Sequence, residues 1–92
     1  MARQAALSMS ASNEQWYCYV LQCADGTLYT GITNDVAKRI ATHNSGKGSK
    51  YTRSRLPVVV VYSEPHPDRA TASKREAEIK QLPRAEKLVL VG

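Results

Sequence analysis

Glu76 is a carboxylate on a helix face that the sequence otherwise predicts to be buried. Ala72, Glu76 and Ile79 follow the i, i+4, i+7 spacing that places side chains on one face of a helix. An unpaired carboxylate on such a face is costly, so a cation is expected beside it. The candidates are an ion pair with Arg39 or Lys80, or a divalent metal ion bound by the carboxylate. Spacing alone favours the ion pair.

Arg39 and His43 stand four residues apart in a second segment with helical spacing. Side chains at this separation project from the same helix face on successive turns. Arginine stays charged and can bind a phosphate through two hydrogen bonds, and histidine can donate to a phosphate or take up a proton near neutral pH. Both residues are therefore candidates for phosphate chemistry. The alternative is a solvated helix face, which Lys38 and Asn44 nearby would also fit.

Three tyrosines fall in two segments with the composition of strands. Tyr17 and Tyr19 share one face of the first segment, and Tyr29 lies in the second. Buried tyrosines in hairpins are usually core residues whose hydroxyl finds a hydrogen bond. A tyrosine is a poor base at its reference pKa of about 10, and it becomes usable only where positive charge stabilises the phenolate. A metal ion together with Arg39 could supply that charge.

A glycine-rich, basic loop is predicted from Ser45 to Arg55, with one helical turn at most. Its Gly-Lys-Gly sequence lacks the spacing of a nucleotide-binding loop. Cations interleaved with an aromatic ring suit a phosphate backbone and a stacked base, whereas the alternative is a flexible, solubilising loop. The candidate nucleic-acid-binding residues of this loop are Lys47, Lys50, Tyr51, Arg53 and Arg55.

The charge balance favours an anionic partner. Thirteen Lys and Arg against eight Asp and Glu give a net charge of +5, with a sequence pI near 9.5. Nucleic acid is the commonest partner of basic domains, although many small proteins are basic for no special reason. No apolar stretch approaches the roughly 20 residues of a membrane span, and Arg3 is not followed by the apolar region of a secretory signal.

Ninety-two residues predict one domain, over residues 16–92, after a loose leader over residues 1–15. Cys18 and Cys23 are separated by an odd number of positions in one apparent strand, so we expect them on opposite faces and not bridged. No second pair of Cys or His offers a zinc site. These features fit a reduced, intracellular setting, which we expect to be the cytoplasm.

The elements that must position these residues follow the order β-β-α-β-α-α, a small α/β layer structure. Pro57 precedes a valine run that suggests a central strand buried on both faces, and Pro65-His66-Pro67 is predicted to break the chain after it. The N-cap candidates are Thr33, Asn34 and Asp35 for the first helix and Asp68 for the second, and the first helix is expected to end at Gly46. The predicted strands are Trp16–Cys23, Leu28–Thr33 and Val58–Tyr62, and the predicted helices are Val36–Asn44, Arg69–Leu82 and Pro83–Val91.

The hairpin register decides whether Tyr19 and Tyr29 can serve one site. A two-residue turn would put the two phenols on opposite faces of the sheet, because opposed residues of an antiparallel pair share a face. A three-residue loop at 24–26 puts Tyr19 opposite Gly31 and Tyr29 opposite Leu21, all on one face. We therefore predict the three-residue loop, with Gly26 at positive φ. Gly31 is then expected to leave room for a phosphate beside Tyr19.

The order of these features resembles the GIY-YIG nuclease superfamily, and within it the small stand-alone, YhbQ-like branch. Its name motifs correspond to Tyr17-Cys18-Tyr19 and Tyr29-Thr30-Gly31, followed by Arg39, His43 and Glu76. The matching segments are LYTGITNDVAKRIATHNSGKGSKYTR and KREAEIKQL, and the resemblance covers about residues 16–90. It implies a three-stranded, antiparallel or mixed sheet flanked by helices, with one divalent metal ion, Mg²⁺ or Mn²⁺.

The resemblance also implies a role for each matching residue. Tyr19 and Tyr29 match the motif tyrosines, Arg39 the catalytic arginine, His43 a histidine found in part of the family and Glu76 the metal-binding glutamate. This match favours the metal over the ion pair at Glu76. Tyr19 is then the first choice to orient or deprotonate the attacking water, with His43 assisting.

The activity implied is a metal-dependent endonuclease that hydrolyses phosphodiester bonds, of DNA more than RNA, in repair or recombination. The first motif lacks its Gly and Ile, and no Asn follows Asn44, although some members use a downstream one. The alternatives are a nucleic-acid-binding module that does not cut, and an interaction protein that dimerises through the valine strand or the C-terminal helix. No membrane partner is expected, and the oligomeric state stays open.

Overall fold

A computed structural model describes residues 15–92, so all of the predicted leader except Gln15 lies outside the described residues. The elements follow in the order β-β-α-α-β-α-α, which is the predicted order with one short helix added in the basic loop. They are β1 (Trp16–Gln22), β2 (Leu28–Thr33), α1 (Val36–Asn44), α2 (Lys50–Arg53), β3 (Val59–His66), α3 (Arg69–Lys80) and α4 (Arg84–Val91).

The central strand is β1, which pairs antiparallel with β2 on one side and β3 on the other. Four successive residues of β1, from Cys18 to Leu21, are buried. Since alternate residues point to opposite faces, both faces of the sheet must be covered. The fold is thus a three-stranded antiparallel sheet with flanking helices, as expected.

The two faces of the sheet carry separate apolar clusters. Tyr19, Leu21 and Cys23 pack with Val58 on what we call the site face, where Ile40 of α1 joins them. Cys18, Val20 and Ile79 pack together on the other, which we call the α3 face, with Leu90 and Val91 of α4. The two cysteines therefore lie on opposite faces as free thiols, as the odd separation predicted.

The valine run does not form the central strand, so that prediction was wrong. Strand β3 is an edge strand, and Val59 and Val60 are 55% and 41% exposed. An apolar run by itself does not distinguish a central strand from an edge, and β1 takes the central position here. The predicted chain break was also wrong, because β3 continues through Pro65 to His66. Proline is tolerated there because an edge strand has one unpaired side.

The hairpin register is the predicted one. Tyr19 lies opposite Gly31 and Leu21 opposite Tyr29. Gly26 has a φ of 85°, and the loop closes through hydrogen bonds from the Cys23 N–H to the Thr27 carbonyl and from the Gly26 N–H to the Cys23 carbonyl. Both tyrosines therefore lie on the site face.

The helices begin at the predicted caps. The Asp35 side chain accepts a hydrogen bond from the Lys38 N–H at the start of α1, and Asp68 accepts one from the Thr71 N–H at the start of α3. Helix α3 ends at Lys80, two residues before the predicted end. Within residues 15–92, no helix combines the length and the apolar character that a bilayer crossing would require.

Candidate active site

Tyr19 lies at the centre of the site face and is 1% exposed. Its hydroxyl is 3.2 Å from His43 Nε2. A Cβ at Gly31 would come within 2.5 Å of the Tyr19 hydroxyl, so the absence of a side chain at Gly31 makes space for the phenol itself. The room predicted for a phosphate beside Gly31 is therefore filled by the Tyr19 ring, and that expectation was wrong.

His43 is fully buried and is held on both ring nitrogens. Nδ1 lies 2.8 Å from Thr52 Oγ1, and Thr52 Oγ1 lies 3.1 Å from Ser49 Oγ. The ring also packs against the backbone of Gly48, where a Cβ would overlap it. Tyr19, His43, Thr52 and Ser49 thus form one continuous hydrogen-bonded chain on the site face.

Thr52 is a site residue that the sequence reasoning missed. It is fully buried, and it reaches His43 because the short helix α2 turns it inward. The signal available in the sequence was the capping pattern: Ser49 caps α2 and accepts a hydrogen bond from the Thr52 N–H. That pattern predicts a helical turn, but it does not indicate that the threonine hydroxyl contacts a histidine.

Burial keeps both central groups neutral. Burial raises the pKa of Tyr19 above its ordinary value; a hydrogen bond from Arg39 acts in the opposite direction, while the charges of Tyr29 and Glu76 add to the rise. Burial, and then the positive charge of Arg39, lowers the pKa of His43. A neutral imidazole has one donor and one acceptor nitrogen, so it can link two hydroxyls and pass a proton between them.

Arg39 joins this buried chain to the surface. Its guanidinium is close enough to the Tyr19 hydroxyl to lower the phenol's pKa, and it is half-buried. It also borders an open hollow of about 210 Å³, lined by Thr33, Asn34, Asp35, Lys38, Arg39 and Thr42. Arg39 can thus bind an anion in the hollow while its charge acts on the buried Tyr19 hydroxyl.

Glu76 reaches this neighbourhood from α3. Burial, and then the charges of Glu64 and Glu76, raises the pKa of Cys18 on the α3 face to about 11. The Glu76 charge also acts on Tyr19 on the site face. Its side chain is 25% exposed, and Oε2 lies 3.3 Å from Lys80 Nζ. Of the two predicted ion pairs, the one with Lys80 forms.

Glu76 has the chemistry of a magnesium ligand, although it has few protein companions. Within residues 15–92, no three His, Cys, Asp or Glu side chains group closely enough to hold a metal ion together. Mg²⁺ is commonly held by one or two carboxylates while it keeps several waters and takes substrate phosphate oxygens. A single, partly exposed carboxylate fits that mode of binding.

Tyr29 and the aromatic residue of the basic loop form the outer layer of the site. The Tyr29 ring is 5.2 Å from the His43 ring and 6.0 Å from that of Tyr51, on which it stacks. The Arg55 guanidinium lies 4.0 Å from the Tyr51 ring centroid and forms an ion pair with Asp25 at 3.1 Å. Tyr51 and Arg55 are therefore engaged within the protein, where they fasten α2 to the hairpin loop.

The other cations of the loop have no acidic partner in the described part of the chain. Lys47, Lys50 and Arg53 are exposed, and no Asp or Glu occurs anywhere between Val36 and Ser63. The ion pairs of residues 15–92 involve Arg55, Arg75, Lys80 and His66 instead. Positive charge is thus left uncompensated beside the site face.

Four of the five candidate residues, Tyr19, Tyr29, Arg39 and His43, lie together on the site face. Glu76 lies on α3, and its charge acts on Tyr19. Residues 15–88 match the family described as the GIY-YIG catalytic domain.

Relatives and solved structures agree with this match. The chain is 60% identical over 77 residues to a UPF0213 protein of Desulfotalea psychrophila, covering 83% of this chain and 70% of that protein. It is 55% identical to a UPF0213 protein of Streptococcus agalactiae, with 82% and 85% covered. The solution NMR structure of a UPF0213 protein from Bacillus halodurans is similar, with a TM-score of 0.55, 47% identity and coverage of 84% and 82%. A solution NMR structure of a protein from E. faecalis has the same TM-score at 43% identity, with coverage of 79% and 78%.

Proposed function

The chain belongs to the GIY-YIG family of catalytic domains, and on that premise we propose that it is a metal-dependent endonuclease that hydrolyses phosphodiester bonds of DNA, structure-selectively and in repair or recombination. One observation carries the proposal: a buried phenol, a buried imidazole and a surface-facing guanidinium meet at the Tyr19 hydroxyl. The charge of Glu76, on α3, also acts on Tyr19. Packing alone does not require three such polar groups at one hydroxyl.

Arg39 is the group proposed to bind the scissile phosphate. It lies between the Tyr19 hydroxyl and an open hollow. Two hydrogen bonds from a guanidinium would stabilise the charge that grows on the phosphoryl oxygens as the bond breaks.

Tyr19 and Tyr29 are proposed to have different roles in the reaction. Tyr19 is buried and its pKa is raised, so it acts best as a neutral hydrogen-bonding group that holds Arg39 and His43. Tyr29 is half-buried and packs against His43, which supports it as the tyrosine that orients the attacking water. This assignment reverses the preference for Tyr19 that the sequence suggested. His43 is proposed to assist by holding the Tyr19 hydroxyl, while Thr52 fixes the His43 ring.

Glu76 is the proposed ligand of the divalent cation, Mg²⁺ or Mn²⁺. When bound, the ion would supply a Lewis acid for the phosphate and its leaving oxygen. Lys80 now balances the carboxylate at 3.3 Å and must give way to a cation. Since Lys80 is more than half exposed, its ammonium can turn into solvent at little cost.

Lys47, Lys50 and Arg53 are proposed to hold the phosphate backbone beside the site, because none of them has an acidic partner within residues 15–92. Tyr51 and Arg55, also candidates for that surface, are proposed to contribute mainly by holding α2 against the hairpin loop. Tyr51 is still 38% exposed and presents an edge to a nucleotide.

A cleavage panel tests the proposal. Branched, flapped and single-stranded DNA, with matched RNA, is incubated with the protein in Mg²⁺, Mn²⁺ or a chelator. We expect metal-dependent products from DNA, and we expect Glu76→Ala to lower the cleavage rate by about 100-fold or more while leaving affinity nearly unchanged. Glu78→Ala is the matched control, because it removes the same charge from an exposed position of the same helix.

One observation favours the non-cleaving alternative, namely that Glu76 already has an ion-pair partner in Lys80. Tight DNA binding without products under every metal condition would support that alternative and reject the endonuclease. Full activity of a Glu76→Ala variant would show that Glu76 is not the metal ligand of the active site.

A further inference from the structure

A cluster of charged groups occupies the α3 face of the edge strand β3, away from the candidate active site. Tyr62, Glu64 and His66 alternate along the strand and so point the same way. The Tyr62 hydroxyl donates to Glu64 Oε1 at 2.5 Å, and His66 Nε2 lies 2.6 Å from Oε2. Arg75 Nε, from α3, donates to both carboxylate oxygens at 3.2 and 3.1 Å. The Glu64 carboxylate is therefore held from three sides.

The hydrogen bonds at Glu64 are strong enough to outweigh its burial. Burial acts to raise the pKa of this carboxyl, but hydrogen bonds from Tyr62, His66 and Arg75 hold it below its ordinary value. The carboxylate is thus a fixed anion, about one-fifth exposed. It gives α3 a charged attachment point on the sheet.

Arg75 and Glu76 lie on either side of the buried stripe of α3. Ala72 and Ile79 define that stripe, since both are fully buried. At about 100° per residue, Arg75 projects about 60° to one side of Ala72 and Glu76 about 40° to the other. Arg75, which binds Glu64 on β3, and Glu76, whose charge acts on Tyr19, therefore lie on opposite sides of the buried stripe.

Apolar packing alone holds α3 weakly against rotation. Ala72 and Ile79 are its only buried residues among the twelve of the helix, and one of them is an alanine. A rotation about the helix axis that kept both near the sheet would still swing Glu76 away from Tyr19. The Arg75 Nε–H, which is shared between the two Glu64 oxygens, opposes that rotation, because the donor directions of a planar guanidinium are fixed.

We propose that the Arg75–Glu64 pair is a positioning device for Glu76: by pinning one side of α3 to β3, it sets the direction in which the carboxylate on the other side faces. The inference rests on the proposed function, since it assigns Glu76 the divalent cation. Arg75 and Glu64 are positioning residues and contact no substrate. Their partners in the same role are Tyr62 and His66, which fix the Glu64 carboxylate.

Direct cation binding tests the proposal without reference to cleavage. Mn²⁺ is titrated into isotope-labelled protein, and paramagnetic broadening of the α3 amide signals gives an apparent Kd. We expect Arg75→Ala to raise this Kd about tenfold, the loss typical of removing a group that orients a metal ligand. Simple electrostatics predicts the opposite, because removing a nearby positive charge should favour a cation. The direction of the change therefore separates positioning from charge.

Three further variants complete the design. Arg75→Lys keeps the charge but loses the rigid, planar guanidinium and its Nε–H donor, so its Kd should fall between those of the parent and Arg75→Ala. Glu64→Ala should raise the Kd by a similar factor, and the double variant should be no worse than either single one. Glu78→Ala removes the exposed partner of Arg75, at 3.3 Å, and should change the Kd less than twofold.

The outcomes separate this inference from the proposed function. A folded Arg75→Ala variant that binds Mn²⁺ as tightly as the parent, or more tightly, overturns the positioning role and leaves the endonuclease proposal standing. A parent protein without Mn²⁺ broadening near Glu76 overturns both. If Arg75→Ala lacks the dispersed spectrum of a folded chain, Arg75→Lys decides the question in the same way.

Discussion

The two faces of the sheet differ in whether their charged groups are paired within the protein. On the site face, neutral buried groups from Tyr19 to Ser49 form a hydrogen-bonded chain, and nearby cations such as Lys50 have no acidic partner within residues 15–92. On the α3 face, Arg75 binds two carboxylates, and the Glu64 carboxylate has donors on three sides.

This difference indicates which face meets a ligand. A cation already paired within the protein adds rigidity but loses that bond if it turns to a phosphate. A cation without an acidic partner can bind a polyanion without breaking an ion pair within the protein. We therefore regard the site face as the surface that changes on binding and the α3 face as the support that does not.

Of the variants that test this comparison, Gly31→Ala should have the largest effect on the free energy of unfolding. The added Cβ would lie 2.5 Å from the Tyr19 hydroxyl, which is 1% exposed and has nowhere to move. We expect a loss of about 3 kcal/mol in the free energy of unfolding, at the upper end for overpacking. Urea denaturation measures it. Gly26→Ala is the control: it meets no atom, and its positive φ should cost about 1 kcal/mol. Equal losses would show that the phenol is not confined as described.

Thr52→Val and Tyr62→Phe compare one hydroxyl from each face. Thr52 is fully buried, so its removal leaves His43 Nδ1 without a partner and should cost about 2 kcal/mol. Tyr62 is half-buried and Glu64 keeps other donors, so its loss should cost about 1 kcal/mol or less. Chemical denaturation of both variants gives the two values. A larger loss for Tyr62→Phe would reverse the ranking of the two networks.

The pH dependence of stability should report on His43. Its pKa in the fold is lowered by burial and by Arg39, so the unfolded chain binds more protons between that value and about 6.5. The stabilisation is complete above about pH 6.5 and is lost as the pH falls through that window. Thermal unfolding from pH 8 to pH 5 should show the decline. His43→Gln should remove it; a decline that survives His43→Gln belongs to another group.

Single cations of the loop should give the smallest effect. Lys50→Ala should weaken DNA binding about threefold and reduce the slope of log affinity against log salt by about one. Lys74→Ala removes the same charge from an exposed position of α3 and should change neither quantity measurably. Fluorescence anisotropy at several salt concentrations measures both. Equal losses from the two variants would mean that α3 also faces the nucleic acid.

Local rules explain why much of the fold was predictable from the sequence. The requirement that Tyr19 and Tyr29 share a sheet face selected the hairpin register, and the capping residues before Val36 and Arg69 indicated two helix starts. The same rules failed for the valine strand, since strand order depends on which segment buries both faces. Strand β1 has four successive buried residues, whereas Val59 is 55% exposed at the edge.

The types and order of the candidate residues could be read along the chain, but their layering could not. Lys80 was named as a possible ion-pair partner of Glu76, and that pair forms. Thr52 was missed because its contact with His43 joins two helices through a loop. Tyr19 was the first choice to orient or deprotonate the attacking water, yet it is buried, because burial depends on the elements that cover a strand.

The sequence by itself determined which functional groups this protein contains and that no Asp or Glu occurs from Val36 to Ser63. It also determined the face that each group occupies on its own helix or strand. These follow from residue type and from fixed periodicities of 3.6 and 2 residues. Only the tertiary structure decided which phenol is sealed, which cations are paired and how α3 is pinned to β3. Each depends on distances between segments far apart in the chain, and a periodicity within one segment carries no information about them.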